Sequence, residues 1–166
     1  MEALRVQEAD RVAAQAAAAA AAMARREEEN ARAATAAIDA AIAARDGHAL
    51  DEAISIAMDM SLPASDEIDK YMAMAARVLA YLQLRAAKPV HSLWLCAEVQ
   101  TAFDALAHVH ALAADSRATF AQHLADELID GPRLSALASS SDTLAALVPD
   151  ASSRQRVSAV LSEMCA

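Results

Sequence analysis

Apolar residues along this chain recur at helical spacing and nowhere alternate as they would in a strand. Residues 2–45 contain no glycine and no proline, and Ala16–Ala22 is an unbroken alanine run. Large apolar residues are sparse there (Leu4, Val6, Val12, Met23). No heptad of large residues marks a coiled coil. Alanine gives up no side-chain entropy in a helix. A continuous helix is therefore expected rather than a frayed tail, with fraying only before Val12, since isolated helices are marginal below about 12–15 residues. Ile38 and Ile42, four apart, begin a more apolar pattern. Arg45-Asp46-Gly47-His48 reads as a stop, with Gly47 suited to the left-handed position after a helix. Leu50, Ala53, Ile54, Ala57 and Met58 form one face of a second helix, which Leu62-Pro63 ends. Ser65 is an N-cap for a third helix, with Asp66 and Glu67 at its positive end. Its core positions are Ile68, Met72, Ala75, Val78, Leu79 and Leu82, and Lys88-Pro89 closes it.

The C-terminal part is richer in large apolar residues. Trp94 is expected to begin a helix bearing Val99, Phe103 and Leu106. A connector, Val109 to Asp115, leads to a helix carrying Phe120 and Leu124. Glu127-Leu128-Ile129-Asp130-Gly131 turns into a short helical segment, Pro132 to Leu137, with Leu134 and Leu137 three apart. Ser139–Ser141 precedes Asp142, Leu144 and Leu147, and Pro149 ends that segment. Ser152 or Ser153 caps a final helix bearing Val157, Val160 and Leu161.

Composition agrees with an all-α chain. Hydrophobic residues make up 57%, mostly as alanine, while the chain holds only 2 glycines and 4 prolines. The expected organisation is an alanine-rich helical extension over 1–29, an antiparallel three-helix unit over 30–88 and a five-helix bundle over 91–166. The unit 30–88 also resembles the short alanine-rich hairpins of cytoskeletal scaffolds, which speaks to shape more than to partners.

Charge narrows the partners. The net charge is −9, and acids outnumber Lys and Arg in every segment: 8 to 6 in residues 1–46, 6 to 4 in 47–90 and 9 to 4 in 91–166. Phosphate neutralisation needs clustered Lys and Arg, so nucleic acid and anionic membrane surfaces are disfavoured. Cys96 and Cys165 form no CxxC pair and read as reduced thiols of a cytoplasmic protein. Val12–Ala24 mimics a signal-peptide core, but Glu2, Glu8 and Asp10 stand where such a peptide is positive. No segment offers the ~20 apolar residues of a membrane span.

Site chemistry is sparse. His108 and His110, two apart on a helix, point their rings away from each other, so with Cys96 they make a poor tetrahedral site. His48, His91 and His123 stand apart in the sequence. The sequence has no Gly-rich phosphate loop, no HExxH and no nucleophile elbow. Neither metal nor cofactor is expected, and no catalysis. Methionines 58, 60, 72 and 74 read as core filling rather than a ligand groove. The serine run reads as a cap or flexible link.

The C-terminal residues resemble the sterile alpha motif. The family pattern opens on a tryptophan with a valine five residues on, here Trp94 and Val99. An aromatic, an apolar residue four later and an Ile-Asp-Gly correspond to Phe120, Leu124 and Ile129-Asp130-Gly131. Leu134, Leu137, Asp142, Leu144, and then Arg154 with Val157, Val160 and Leu161, continue the pattern. Phe103 is shifted by one position, the loop before Leu144 is longer, and Leu147-Val148-Pro149 replaces the usual Leu-Gly-Ile.

The resemblance implies five short helices and head-to-tail association. Asp126, Glu127, Asp130 and Asp142 would form an acidic face, and Arg154 and Arg156 a basic face at the start of the last helix. Asp130 itself would be structural, at the turn before the third helix of the bundle. Two such faces on one chain make a heterologous contact, which closes into rings or runs on into filaments. The implied function is a scaffold or adaptor whose partners are proteins: itself, or another such domain. The competing expectation is a helical subunit of a cytoskeletal or other large assembly, whose N-terminal helices bind the partner.

Overall fold

The first helix, α1 (Glu2–Ala44), runs without interruption through the alanine tract, as an unbroken stretch of good helix formers should. The computed structural model describes the backbone of residues 2–166 and the side chains of residues 7, 8 and 10–166, so Leu4 and Val6 lie outside the described side chains. Helical geometry continues through the residues before Val12. Every described side chain from Gln7 to Arg26 is exposed. Those twenty residues form an arm about 30 Å long at about 1.5 Å rise per residue. Burial begins further on, with Ala34, Ile38, Ala41 and Ile42.

Two more helices fold back on that half of α1: α2 (Gly47–Asp59) and α3 (Asp66–Ala87). Leu50, Ala53 and Ala57 of α2 and Ala75, Val78 and Tyr81 of α3 supply the facing apolar positions. The many alanines let the helix axes approach closely. Polar contacts fix the register: the Tyr71 hydroxyl donates to Asp39 Oδ1 at 2.6 Å, and Asn30 Nδ2 donates to Ser61 O at 3.0 Å. Burial and the Asp39 carboxylate together push the Tyr71 phenol well above its ordinary value. Ser65 caps α3, as its position after Pro63 suggests, by accepting from Ile68 N.

The turn between α1 and α2 differs from the expectation. Gly47 is not left-handed; Arg45 is, at φ 55°. The reason is the Asp46 carboxylate, which accepts from His48 N and Ala49 N at 3.0 Å each and so starts α2 at Gly47. The left-handed residue must then precede Asp46. Arg45 tolerates the geometry because its guanidinium is held on both sides: NH1 donates to Ile42 O at 2.9 Å, and Nε and NH2 grip the Glu163 carboxylate.

A 3-10 turn (His91–Leu93) joins this unit to five further helices: α4 (Cys96–Val109), α5 (Ala114–Asp126), α6 (Gly131–Ser139), α7 (Ser141–Leu147) and α8 (Ala151–Cys165). The described residues are thus all-α, with no strand. Trp94 does not begin a helix. It sits in the extended link before α4, 1% exposed, with its indole N–H donating to Lys88 O at 2.9 Å and its ring edge-on to Tyr81. The helix starts later because Glu98 reaches back to accept from Leu95 N at 2.7 Å. Lys88 and that backbone N–H hold the Glu98 carboxyl below its ordinary range.

Phe103 and Phe120 pack 5.0 Å apart at the centre of the C-terminal bundle. Leu106, Leu124, Leu134, Val157, Val160 and Leu161 surround them, and the buried residues of α1 through α8 form one continuous cluster. Aspartate and serine caps punctuate the short helices. Asp130 accepts from Arg133 N, Ser140 from Thr143 N, and Asp150 from Ser153 N. The cap of α8 is therefore Asp150, not Ser152 or Ser153, because Asp150 is extended and its carboxylate accepts from Ser153 N. Of the methionines expected in the core, Met60, Met72 and Met74 are partly buried, whereas Met58 is 75% exposed.

Candidate interaction surfaces

The residues singled out from the sequence fall into two places. Asp126 and Glu127 end α5, and Asp130 caps α6 four residues after Asp126. Between them, Leu128 takes φ 48°, which turns the chain sharply and leaves its side chain 66% exposed. Cys96 Sγ donates to Leu128 O at 3.2 Å, holding the start of α4 against this loop. Leu93 and Leu95, on either side of buried Trp94, are exposed as well. The acidic loop and the link beside it thus hold three large apolar side chains in water, Leu128, Leu93 and Leu95, which a surface of purely solvating role does not need. Its negative charge is tempered by Arg133, whose guanidinium bonds the Glu127 carbonyl and lies 3.7 Å from the Glu127 carboxylate.

Asp142 lies elsewhere. It lines a groove of about 530 Å³ between α7 and α8 together with Arg154. The structure thus separates Asp142 from Asp126, Glu127 and Asp130 and sets it on the side of the arginines. The cause is α7, which packs on both α6 and α8 and carries its first turn toward the N-terminal end of α8. Arg156 projects from the exposed face of α8 and donates to the Ala111 carbonyl, tying α8 to the α4–α5 connector, where Ala111 is left-handed at φ 50°. The basic end is therefore mixed: Arg154 shares the groove with Asp142 and acts on the capping Asp150, while Arg156 turns to the α4–α5 connector. The Ser153 amide and hydroxyl, and Arg154 to a smaller degree, hold the Asp150 carboxyl below its ordinary range.

A polar junction absent from the sequence reading ties the N-terminal helices to α8. Glu163 accepts from Arg45 Nε at 2.8 Å and NH2 at 3.0 Å, and pairs with His110 Nε2 at 2.8 Å. Arg85 donates to Glu163 O at 2.9 Å and to the Tyr81 hydroxyl at 3.2 Å. Arg45, Tyr81, Arg85 and Glu163 line a cleft of about 710 Å³. Its guanidinium groups are engaged by Glu163 and Tyr81, so it reads as an internal clasp. Burial raises the Tyr81 phenol, against the opposing pull of Arg85. Arg45 and Glu163 are separated by 118 residues, so no local pattern announces the pair.

The histidines point apart, as their spacing requires. His108 Nδ1 bonds Asp104 O at 2.7 Å and its Nε2 faces Arg117, while His110 faces Glu163. Among the described residues no group of three or more His, Cys, Asp or Glu is arranged to hold a metal ion. Cys96 and Cys165 are both free thiols, and burial pushes the Cys165 thiol up. No helix among the described residues is long and apolar enough to cross a membrane. Comparison of the chain with protein-family models, curated proteins and solved structures finds no match.

Proposed function

We propose that the chain is a non-enzymatic scaffold or adaptor, and that residues 91–166 act as a sterile-alpha-motif-like module for association with a second copy or a related module. The acidic loop of one copy, with Leu128 at its tip, takes the N-terminal end of α8 of the next. The observation that carries this reading is the exposed Leu128, held at φ 48° between Glu127 and Asp130. The left-handed turn ends α5, with Leu128 N bonding Ala125 O and Ile129 N bonding Leu124 O, and it leaves a large apolar side chain in water beside the acids. Arg154 is the cation that meets the loop, and the mixed charges around it make the contact weaker than two opposed single-sign faces would be.

Head-to-tail association has a diagnostic test by sedimentation velocity on the full chain. Arg154→Glu removes one face and Glu127→Lys the other. Each variant alone should be monomeric, and an equimolar mixture should stop at dimers, because only one good pair of faces remains. A wild-type chain that stays monomeric up to roughly 0.1 mM, a concentration that populates even weak complexes, would overturn the proposal.

One observation favours a second reading, in which the N-terminal helices bind the partner: the arm from Gln7 to Arg26, every described side chain of which is exposed. Removing residues 1–26 from the full chain separates the two. Loss of self-association on that deletion favours the arm, and retention favours the C-terminal faces.

A further inference from the structure

The α2–α3 hairpin carries a second exposed surface, independent of the C-terminal faces. A groove of about 440 Å³ runs between the end of α2 and the start of α3, lined by Ile54, Met58, Met60, Leu62, Ile68 and Met72, with Asp69 at its edge. Met58 stands 75% exposed, far more than a core methionine. Methionine side chains are unbranched and polarizable, and they recur on surfaces that must adapt to a bound apolar face.

Charge beside the groove is predominantly acidic. Residues 49–70 contain Asp51, Glu52, Asp59, Asp66, Glu67 and Asp69 against a single base, Lys70. Asp59, Asp66, Glu67 and Asp69 flank the lining residues in the chain, and all four are exposed. Asp66, Glu67 and Asp69 have a part in the fold, since acids favour the positive end of α3. Asp59 does not. It closes α2, where the helix dipole disfavours a carboxylate. Asp59 lies between Met58 and Met60 in the chain, and a cation brought to the groove would offset its unfavourable place at the end of α2.

From this apolar floor and acidic rim we infer that the groove is a docking site for an amphipathic helix of a protein partner, one with apolar anchors at i, i+4 and i+7 and lysine or arginine beside them. The occupant is not the arm of a second copy. Residues 2–26 carry three acids against four arginines, so little net positive charge, and their few large apolar residues are too widely spaced to serve as anchors.

Fluorescence anisotropy with the full-length chain tests this. The probe is a labelled peptide of leucine and lysine, roughly 14 residues long, in an amphipathic helical pattern, with a leucine–glutamate peptide as its counterpart. The leucine–lysine peptide should bind saturably and the counterpart should not. Met58→Lys, and separately Asp59→Lys with Asp69→Lys, should each weaken binding at least roughly tenfold, about 1.4 kcal/mol. Glu28→Lys with Glu29→Lys, the same change in net charge placed on α1, should leave the affinity within about twofold. All of these positions are exposed, and unchanged far-UV circular dichroism confirms folding of each variant. Equal weakening by the two charge-reversed pairs would overturn the inference, since attraction to a net acidic chain then explains the binding. Self-association abolished by Met58→Lys would also overturn it, in favour of a second copy as occupant.

Discussion

Gly131 and Gly47 receive the same substitution and should respond with opposite sign. An alanine Cβ at position 131 would lie 1.8 Å from His91 O, 2.8 Å from His91 C and 2.9 Å from Ser92 Cα. All three are backbone atoms, so no side chain can swing away. The 3-10 turn is itself fixed by the buried Trp94, whose carbonyl accepts from Gly131 N at 2.9 Å. Relieving the clash means parting α6 from that turn. Overpacking of this kind costs about 1–3 kcal/mol. Losing the Gly131–Trp94 hydrogen bond adds about 0.5–1.5 kcal/mol. Gly131→Ala should therefore destabilise by roughly 2–4 kcal/mol, a large part of the ~5–15 kcal/mol of an ordinary domain. Position 47 is different. There the nearest atom to a new Cβ is Leu82 Cβ, at an ordinary 3.5 Å, and the glycine is already helical. Gly47→Ala should stabilise by up to about 1 kcal/mol, chiefly by restricting the unfolded chain. Urea unfolding of the full chain, followed by far-UV circular dichroism and by Trp94 fluorescence, reads both changes. Gly131→Ala within about 0.5 kcal/mol of wild type would refute the close approach of α6 to the 3-10 turn.

Three further outcomes are expected. Asp142→Asn should strengthen self-association in sedimentation, because Asp142 shares a groove with Arg154; weakening would return Asp142 to the acidic face. Glu163→Ala should destabilise by about 1–3 kcal/mol, since it leaves Arg45 and His110 unpaired at a half-buried junction; in a double-mutant cycle with Arg45→Ala the two losses should fall short of adding, and strict additivity would argue against a working clasp. The Glu98 carboxyl, held below its ordinary range by Lys88 and Leu95 N, contributes stability above the unfolded-state value, and that stability fades as the pH falls through the lower folded-state value. Glu98→Gln should accordingly flatten the loss of stability in thermal melts as the pH falls below the ordinary carboxyl value of 4.5, and an unchanged slope would count against the Lys88–Glu98 contact.

The helices were legible because their signals are local. An absence of glycine and proline, a serine followed by two acids, and apolar residues at three and four apart act within a few residues of chain. Ser65, Val78, Phe120 and Val157 came out as expected for that reason. The misreadings arose where two local signals competed. Gly47 looks like a helix terminator, but Asp46 before it is the stronger cap and shifts the left-handed position to Arg45. Serines 152 and 153 look like caps, but the Asp150 carboxylate takes that place. Trp94 belongs to the link before its helix because Glu98 sets where α4 begins. The candidate surfaces were harder still. Which side of the bundle receives Asp142 depends on how α7 packs on α8, and the clasp around Glu163 joins residues that only the tertiary fold brings together. Neither leaves a trace in spacing.

Assembly in this way requires two distinct faces of the C-terminal bundle to meet between copies. Sedimentation velocity on an equimolar mixture of full-length Arg154→Glu and Glu127→Lys tests this most directly. The expected result is two monomeric variants that form a discrete dimer when mixed, beside a wild-type chain that grows into larger species with concentration. A mixture that remains monomeric while the wild-type chain still assembles would show that the assembly uses other surfaces.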